Sequence, residues 1–275
     1  MIGGDRLAVR LPMYDWPEVH EATRELENVL EEALVDALGL RHQDLTPWPE
    51  HVDLEAVWND PDLLLTQTCG YPLTHALKGK VRLLGTPHYA APGCEGPNYL
   101  SHIVVRDDSV FKTLEDLREA RAIFNGADSQ SGMNALRHAV AQVAGGRSFF
   151  SQIRTSGSHL ASAIAVAKGE ADVACLDAVC WWLIGNERRD LAARLRPIAQ
   201  TAAVPGLPLI TSSRVDDEEA EAMTDVLEAV LTSPQTHTCR ERLGICGFSR
   251  TSVQDYDGIL KMEVEAARRG YPSLA

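Results

Sequence analysis

The chain has 275 residues, of which 45% are hydrophobic and 24% charged, a balance that suits a folded core and excludes a disordered segment or a coiled coil. The formal net charge is −13, from 26 basic and 39 acidic residues, so the long-range field repels nucleic acid and anionic membrane. No apolar run reaches the ~20 residues of a spanning helix, and neither nucleic-acid binding nor membrane insertion is expected.

In chain order, Leu7 to Leu11 reads as a short strand ended by Pro12, and Met13–Pro17 as a loop. Glu18 to Leu38 carries helical periodicity through Ala22, Leu26, Leu30 and Leu34, closed by Gly39. A short helix is expected at Leu54–Asn59, a buried strand at Asp62–Thr66, a turn at Gln67–Pro72, and strands at Val81–Gly85 and Tyr99–Arg106. A second unit follows. Ser109–Ala120 is expected to be a short helix, with Thr113 to Asp116 resembling a capping box. Strands are expected at Arg121–Asn125, Ile153–Ser156, Ala171–Leu176, Leu195–Ala203 and Leu209–Ser212. Helices are expected at Gly132–Ala144, Ser158–Lys168, Ala178–Ile184 and Asp216–Thr232, with a mostly helical remainder. Strands alternating with helices predict an α/β fold with mainly parallel sheets. Two extended crossings, near 99–106 and 196–204, divide it into one lobe of residues 1–100 plus 205–275 and an inserted lobe of residues 101–204.

The six cysteines form no Cys-x-x-Cys pair, and the nine histidines form no His-Glu-x-x-His pattern. Buried free thiols are expected, with no metal and no cofactor. The N-terminal stretch lacks a basic segment followed by an apolar one. The chain as given therefore reads as cytoplasmic, or as periplasmic if a leader is missing from it.

The segment Asn125–Arg137 carries the clearest chemistry. A strand ends, a small polar loop follows, and a helix begins near Ser131. A helix start offers N–H donors without intrahelical partners and the positive end of the macrodipole. Ser129 and Ser131 add hydroxyls, Gln130 and Asn134 add amides, and Gly132 lets a ligand approach the backbone. Together they form an anion cradle without lysine; read alone, the same loop is also an ordinary helix cap.

Further along stand Gly157-Ser158-His159, Ala165-Val166, Gly169-Glu170-Ala171-Asp172-Val173-Ala174 and Asp177. Combined with Ser129-x-Ser131-Gly132, this pattern resembles the phosphate/phosphonate solute receptors of ABC transporters. The resemblance covers about 99–212 well, including Pro205 and Leu207–Thr211 of the return crossing, and the first lobe more loosely. It implies a two-lobed type 2 periplasmic-binding-protein fold that captures a small phosphorus oxyanion or similar organic anion and closes by hinge motion. Ser158, His159 and Asp177 then line the ligand site. His159 either bonds a phosphoryl oxygen or the neighbouring serine, or caps its helix. Asp177 accepts a hydrogen bond from the ligand or a hydroxyl, and disfavours fully charged dianions. On the first lobe, Tyr14 and Trp16 after the first strand, and Thr68 and Tyr71 in the second loop, are the ligand candidates; Cys69 departs from the family pattern there.

A small anionic ligand and a transporter permease are the partners this implies, with the protein a monomer or weak dimer. Two alternatives stay open at this point. One is an enzyme on the same fold, resembling cytoplasmic enzymes of menaquinone biosynthesis, with Asp177, His159 or Cys69 as acid or base. The other is a cytoplasmic ligand sensor. No Gly-x-Ser-x-Gly elbow, P-loop or Gly-x-Gly-x-x-Gly is present.

Overall fold

The computed structural model describes residues 6–48 and 53–275. They fall into two compact units. The first runs up to Ala90 and includes Glu95–Pro97 and Pro205–Asp255; the second comprises Ala91–Cys94, Asn98–Val204 and Tyr256–Ala275.

The first unit opens with β1 (Arg6–Leu7) and α1 (His20–Leu38). Ala22, Leu26, Leu30 and Leu34 bury one face of α1, as their spacing of four residues dictates. Gly39 then takes a left-handed φ of 63° and ends the helix. β2 (Leu45–Thr46), α2 (Leu54–Trp58), β3 (Thr66–Gln67), α3 (Gly70–Thr74) and β4 (Val81–Tyr89) follow. After the short strands β5 (Cys94–Glu95) and β6 (Asn98–Tyr99), the second unit is built from β7 (Ser101–Arg106), β8 (Arg121–Phe124), α4 (Ala135–Ala144) and β9 (Gln152–Thr155). It continues through α5 (His159–Ala167), β10 (Val173–Asp177), α6 (Ala178–Glu187), α7 (Arg189–Ala192) and β11 (Leu195–Gln200). From β12 (Val204–Pro205) the chain returns to the first unit with β13 (Leu209–Ser212), α8 (Asp217–Thr232), α9 (His237–Leu243) and β14 (Ile245–Ser249), and ends with α10 (Asp257–Arg268) in the second.

The second unit's sheet has the order β11-β7-β10-β8-β9. β9, β8 and β10 are parallel, whereas β7 runs against both β10 and β11. The first unit's four-stranded sheet, β14-β4-β13-β3, is antiparallel at every pairing, although β1 and β2 pair parallel. Mainly parallel pairing was the expectation from alternating strands and helices. In the first unit β13 and β14 instead come from the returning segment and run against β4, a direction that the order of strands and helices along the chain does not fix.

Two further differences have identifiable causes. The helix expected at Ser109–Ala120 is only a single tight turn at Glu115–Leu117. The capping pair does form, with Asp116 Oδ2 accepting from Thr113 N at 2.9 Å and Thr113 Oγ1 from Asp116 N at 3.4 Å. Glu119, at φ 66°, then turns the chain so that its N–H donates to Phe149 O at 2.7 Å, which stops the turn on its C-terminal side. The C-terminal segment, expected with the first lobe, packs in the second unit from Tyr256 onward. Ile259, Met262 and Ala266 form the buried face of α10. Ala266 and Tyr271 join one apolar cluster with Leu136, Val140, Phe149, Ile103 and Val173.

Asp172, one of the residues carrying the family resemblance, has a structural partner. It takes Arg121 at two points, 2.7 and 3.0 Å, and accepts the Arg121 N–H at 2.8 Å. That guanidinium holds the Asp172 carboxyl below its usual range and ties the strand-end turn to the first residue of β8. All six cysteines are free thiols.

Candidate functional site

β8 ends at Phe124, and the chain runs through Asn125–Asp128 into a wide helical turn at Gln130–Asn134 that precedes α4. Ser129 is its N-cap: its backbone is extended and its Oγ accepts from Gly132 N at 2.9 Å. The Ser129 carbonyl accepts from Asn134 N at 3.0 Å and from Met133 N at 3.3 Å. Bonding across five residues opens the turn beyond α-helical width, a distortion frequent at functional sites.

The side chains explain the widening. Gln130 is 1% exposed and Asn134 is fully buried. Asn134 Nδ2 donates to Gln130 Oε1 at 2.6 Å and to Ile259 O at 3.2 Å, while Gln130 Nε2 lies 3.2 Å from Met262 Sδ. Arg137 donates to Asn134 Oδ1 and pairs with Glu263 at 2.9 Å. Both amides are thus anchored on α10. Ser129, Ser131 and Gly132 form the remaining edge of the turn. No Lys or Arg lies between Ile123 and Leu136, so the available donors there are backbone N–H groups and hydroxyls.

Ser131 is tied at both ends. Its Oγ lies 2.8 Å from His159 Nε2, and its carbonyl accepts from Cys175 Sγ at 3.1 Å. Ser158 caps α5, its Oγ accepting from Ala161 N at 3.0 Å. His159 therefore need not cap, and its ring turns to Ser131 and Asp177. Asp177 is the last residue of β10 and the N-cap of α6: Oδ1 accepts from Cys180 N at 2.7 Å, and Oδ2 lies 3.1 Å from His159 Nε2. Burial pushes the His159 pKa down against the opposing pull of Asp177, which favours the neutral ring. Burial likewise pushes the Cys175 and Cys180 thiols up, so neither is a ready nucleophile.

Ser131, His159 and Asp177 do not form a nucleophilic triad. In a triad the hydroxyl and the carboxylate occupy opposite ring nitrogens, so that one nitrogen takes the serine proton while the other is held. Here both partners meet Nε2, so the hydroxyl and the carboxylate do not sit on opposite ring nitrogens.

Asn125 was not among the expected site residues. A β-carbon on Gly132 would sit 1.9 Å from Asn125 Oδ1 and 3.2 Å from Ser129 Oγ. Glycine is thus required by the Asn125 amide. The sequence signal was the placement of Asn125 at the strand end, directly before the loop.

Tyr14, Trp16, Thr68 and Tyr71 all belong to the first unit. Tyr14 meets Tyr89 edge-on, with ring centroids 5.4 Å apart, and Trp16 N donates to Tyr14 O at 2.9 Å. Thr68 is fully buried, its N–H donating to Pro208 O at 3.1 Å. Tyr71, partly exposed on α3, stacks on His75 at 4.0 Å. The structure therefore brings Ser129, Ser131, Gly132, His159 and Asp177 together, directs Gln130 and Asn134 to α10, and uses Ser158 as a cap. Among the described residues no group of His, Cys, Asp and Glu is arranged to hold a metal ion, and no helix is long and apolar enough to cross a membrane.

Comparison with known proteins agrees with this architecture. A binding-protein component of an ABC phosphonate transporter from Pseudomonas aeruginosa superposes with a TM-score of 0.74 at 16% identity, over 96% of this chain and 88% of that one. PhnD1 from Prochlorococcus marinus, in complex with methylphosphonate, gives 0.73 at 15% identity over 96% and 100%. A Xanthomonas citri protein bound to ATP gives 0.70 at 16% identity over 96% and 98%. At these identities the likeness establishes the fold, the two-lobed α/β fold of periplasmic binding proteins. The comparison with curated proteins finds no sequence match. The family described as ABC transporter, phosphonate, periplasmic substrate-binding protein matches residues 9–256. With nearly the whole length covered, the chain belongs to the family of phosphonate-binding receptors of ABC transporters, a family of binding proteins rather than enzymes.

Proposed function

We propose that the protein captures a small phosphonate or related phosphorus oxyanion at the turn Ser129–Gly132, and that a transporter permease is its partner. The observation that carries this reading is the wide turn itself. It places two serine hydroxyls at the positive end of a helix, with a glycine that makes room for the Asn125 amide and the Gln130 and Asn134 side chains anchored elsewhere. Helix starts bind anions through exactly such N–H groups and the helix dipole. Ser131 is the principal hydroxyl donor, and His159 and Asp177 orient it. Tyr14, Trp16, Thr68 and Tyr71 are the first unit's candidates for ligand contact, with Tyr71 the least enclosed of the four.

Calorimetric titration with methylphosphonate tests the reading. The expected result is saturable binding of one ligand per chain, with the ligand recovered intact by mass spectrometry. Absence of binding removes the ligand assignment, and a chemically altered ligand removes the receptor reading in favour of an enzyme.

A further inference from the structure

The arrangement around His159 fixes more than the position of a ring. Both His159 and Asp177 are more than nine-tenths buried, at 8% and 2% exposure. Asp177 Oδ1 is committed to Cys180 N at 2.7 Å, so the carboxylate cannot rotate away from the ring. Oδ2 and Ser131 Oγ meet the same nitrogen, at 3.1 and 2.8 Å. The other nitrogen, Nδ1, is buried, and the Cys175 backbone also bonds the ring. A bare Nε2 would set a lone pair against the carboxylate, a penalty the Nε2–H tautomer avoids.

We propose that Asp177 controls ligand affinity through the tautomer of His159. It holds the imidazole proton on Nε2, Ser131 Oγ accepts the second branch of that hydrogen bond, and the serine keeps its own O–H proton for the bound anion. Asp177 is thus a positioning residue acting through His159 and Ser131. The inference rests on the anion site proposed above. Asp177 also has as titratable neighbours His102 on β7, which burial holds toward the neutral form, and the Cys175 and Cys180 thiols, which burial pushes up.

Asp177→Asn separates this proposal from simple charge effects. Removing a negative charge near an anion should by itself tighten binding. The proposal predicts the opposite. In the variant the amide oxygen keeps the Cys180 N–H, and the amide NH₂ faces Nε2. The ring proton then moves to Nδ1, and Ser131, 2.8 Å from a bare Nε2, turns its proton to the ring instead of the ligand. The Kd for methylphosphonate is expected to rise at least tenfold, and the ¹⁵N shifts of the His159 ring to change from the Nε2–H to the Nδ1–H pattern. Equal or tighter binding by Asp177→Asn overturns the proposal. The wild-type ring shifts decide the matter even where the variant does not fold: a neutral Nε2–H ring is expected, and a proton on Nδ1 overturns it. Failure of the wild-type protein to bind methylphosphonate would overturn the ligand assignment instead, and the ring shifts would still judge the tautomer.

Discussion

Replacing Ser129 and Ser131 together by alanine is expected to raise the Kd for methylphosphonate by two orders of magnitude or more. A hydrogen bond to a charged group contributes about 1.5–3 kcal/mol, and each factor of ten in affinity is about 1.4 kcal/mol. The two hydroxyls share one turn, so their effects need not add. The single variants should differ in kind. Ser131→Ala leaves the His159–Asp177 contact in place and should lower affinity with little change in stability. Ser129 also caps the turn by accepting from Gly132 N, so Ser129→Ala should cost about 1 kcal/mol of stability as well. Calorimetry beside denaturant unfolding measures both quantities. An unchanged Kd in the double variant would remove the turn from the binding site.

The largest stability effect is expected at Asn134, which touches no exposed surface. Its amide links Gln130, the Ile259 carbonyl of α10 and Arg137. Asn134→Ala leaves these buried partners short of hydrogen bonds, and each such loss costs about 1–3 kcal/mol. A total destabilisation of about 2–4 kcal/mol is expected, in the range of severe single substitutions. Affinity should fall too, because the Asn134 link to Ile259 of α10 is lost, Gln130 Oε1 loses the Asn134 amide, and the turn can relax toward ordinary helical width. Urea unfolding should show a lower midpoint with an unchanged slope. A change below about 0.5 kcal/mol, the level of ordinary surface substitutions, would mean that the α10 anchor does not shape the turn.

These two cases mark where the sequence was informative. Ser129, Ser131 and Gly132 were legible because a strand end, small polar residues and a helix start are local features, each within a few residues of the next. His159 and Asp177 were expected through the family resemblance that Gly157-Ser158-His159 and the strand after it carry, though not their shared use of one ring nitrogen, which depends on how α5 and β10 pack. Gln130 and Asn134 look like ligand residues from their position in the helix start. Their actual partners, Met262 and Ile259, lie 132 and 125 residues away, beyond any local pattern. The same long-range packing places Tyr256–Ala275 in the second unit. In the first unit the strands at Val81–Gly85 and Leu209–Ser212 were legible, whereas β14 (Ile245–Ser249) lies in the stretch expected to be mostly helical, and the antiparallel direction of the sheet was not expected.

The central claim is that the Ser129–Gly132 turn is where the anion sits. Its most direct test is a ¹⁵N–¹H titration of the labelled protein with methylphosphonate, following the backbone amides from Asn125 to Ala135. The account predicts that the amides of Gln130, Ser131 and Gly132 shift most within the second unit, saturate with one equivalent of ligand, and lose this response in the double serine variant. Saturable binding that leaves those three amides unmoved would contradict it.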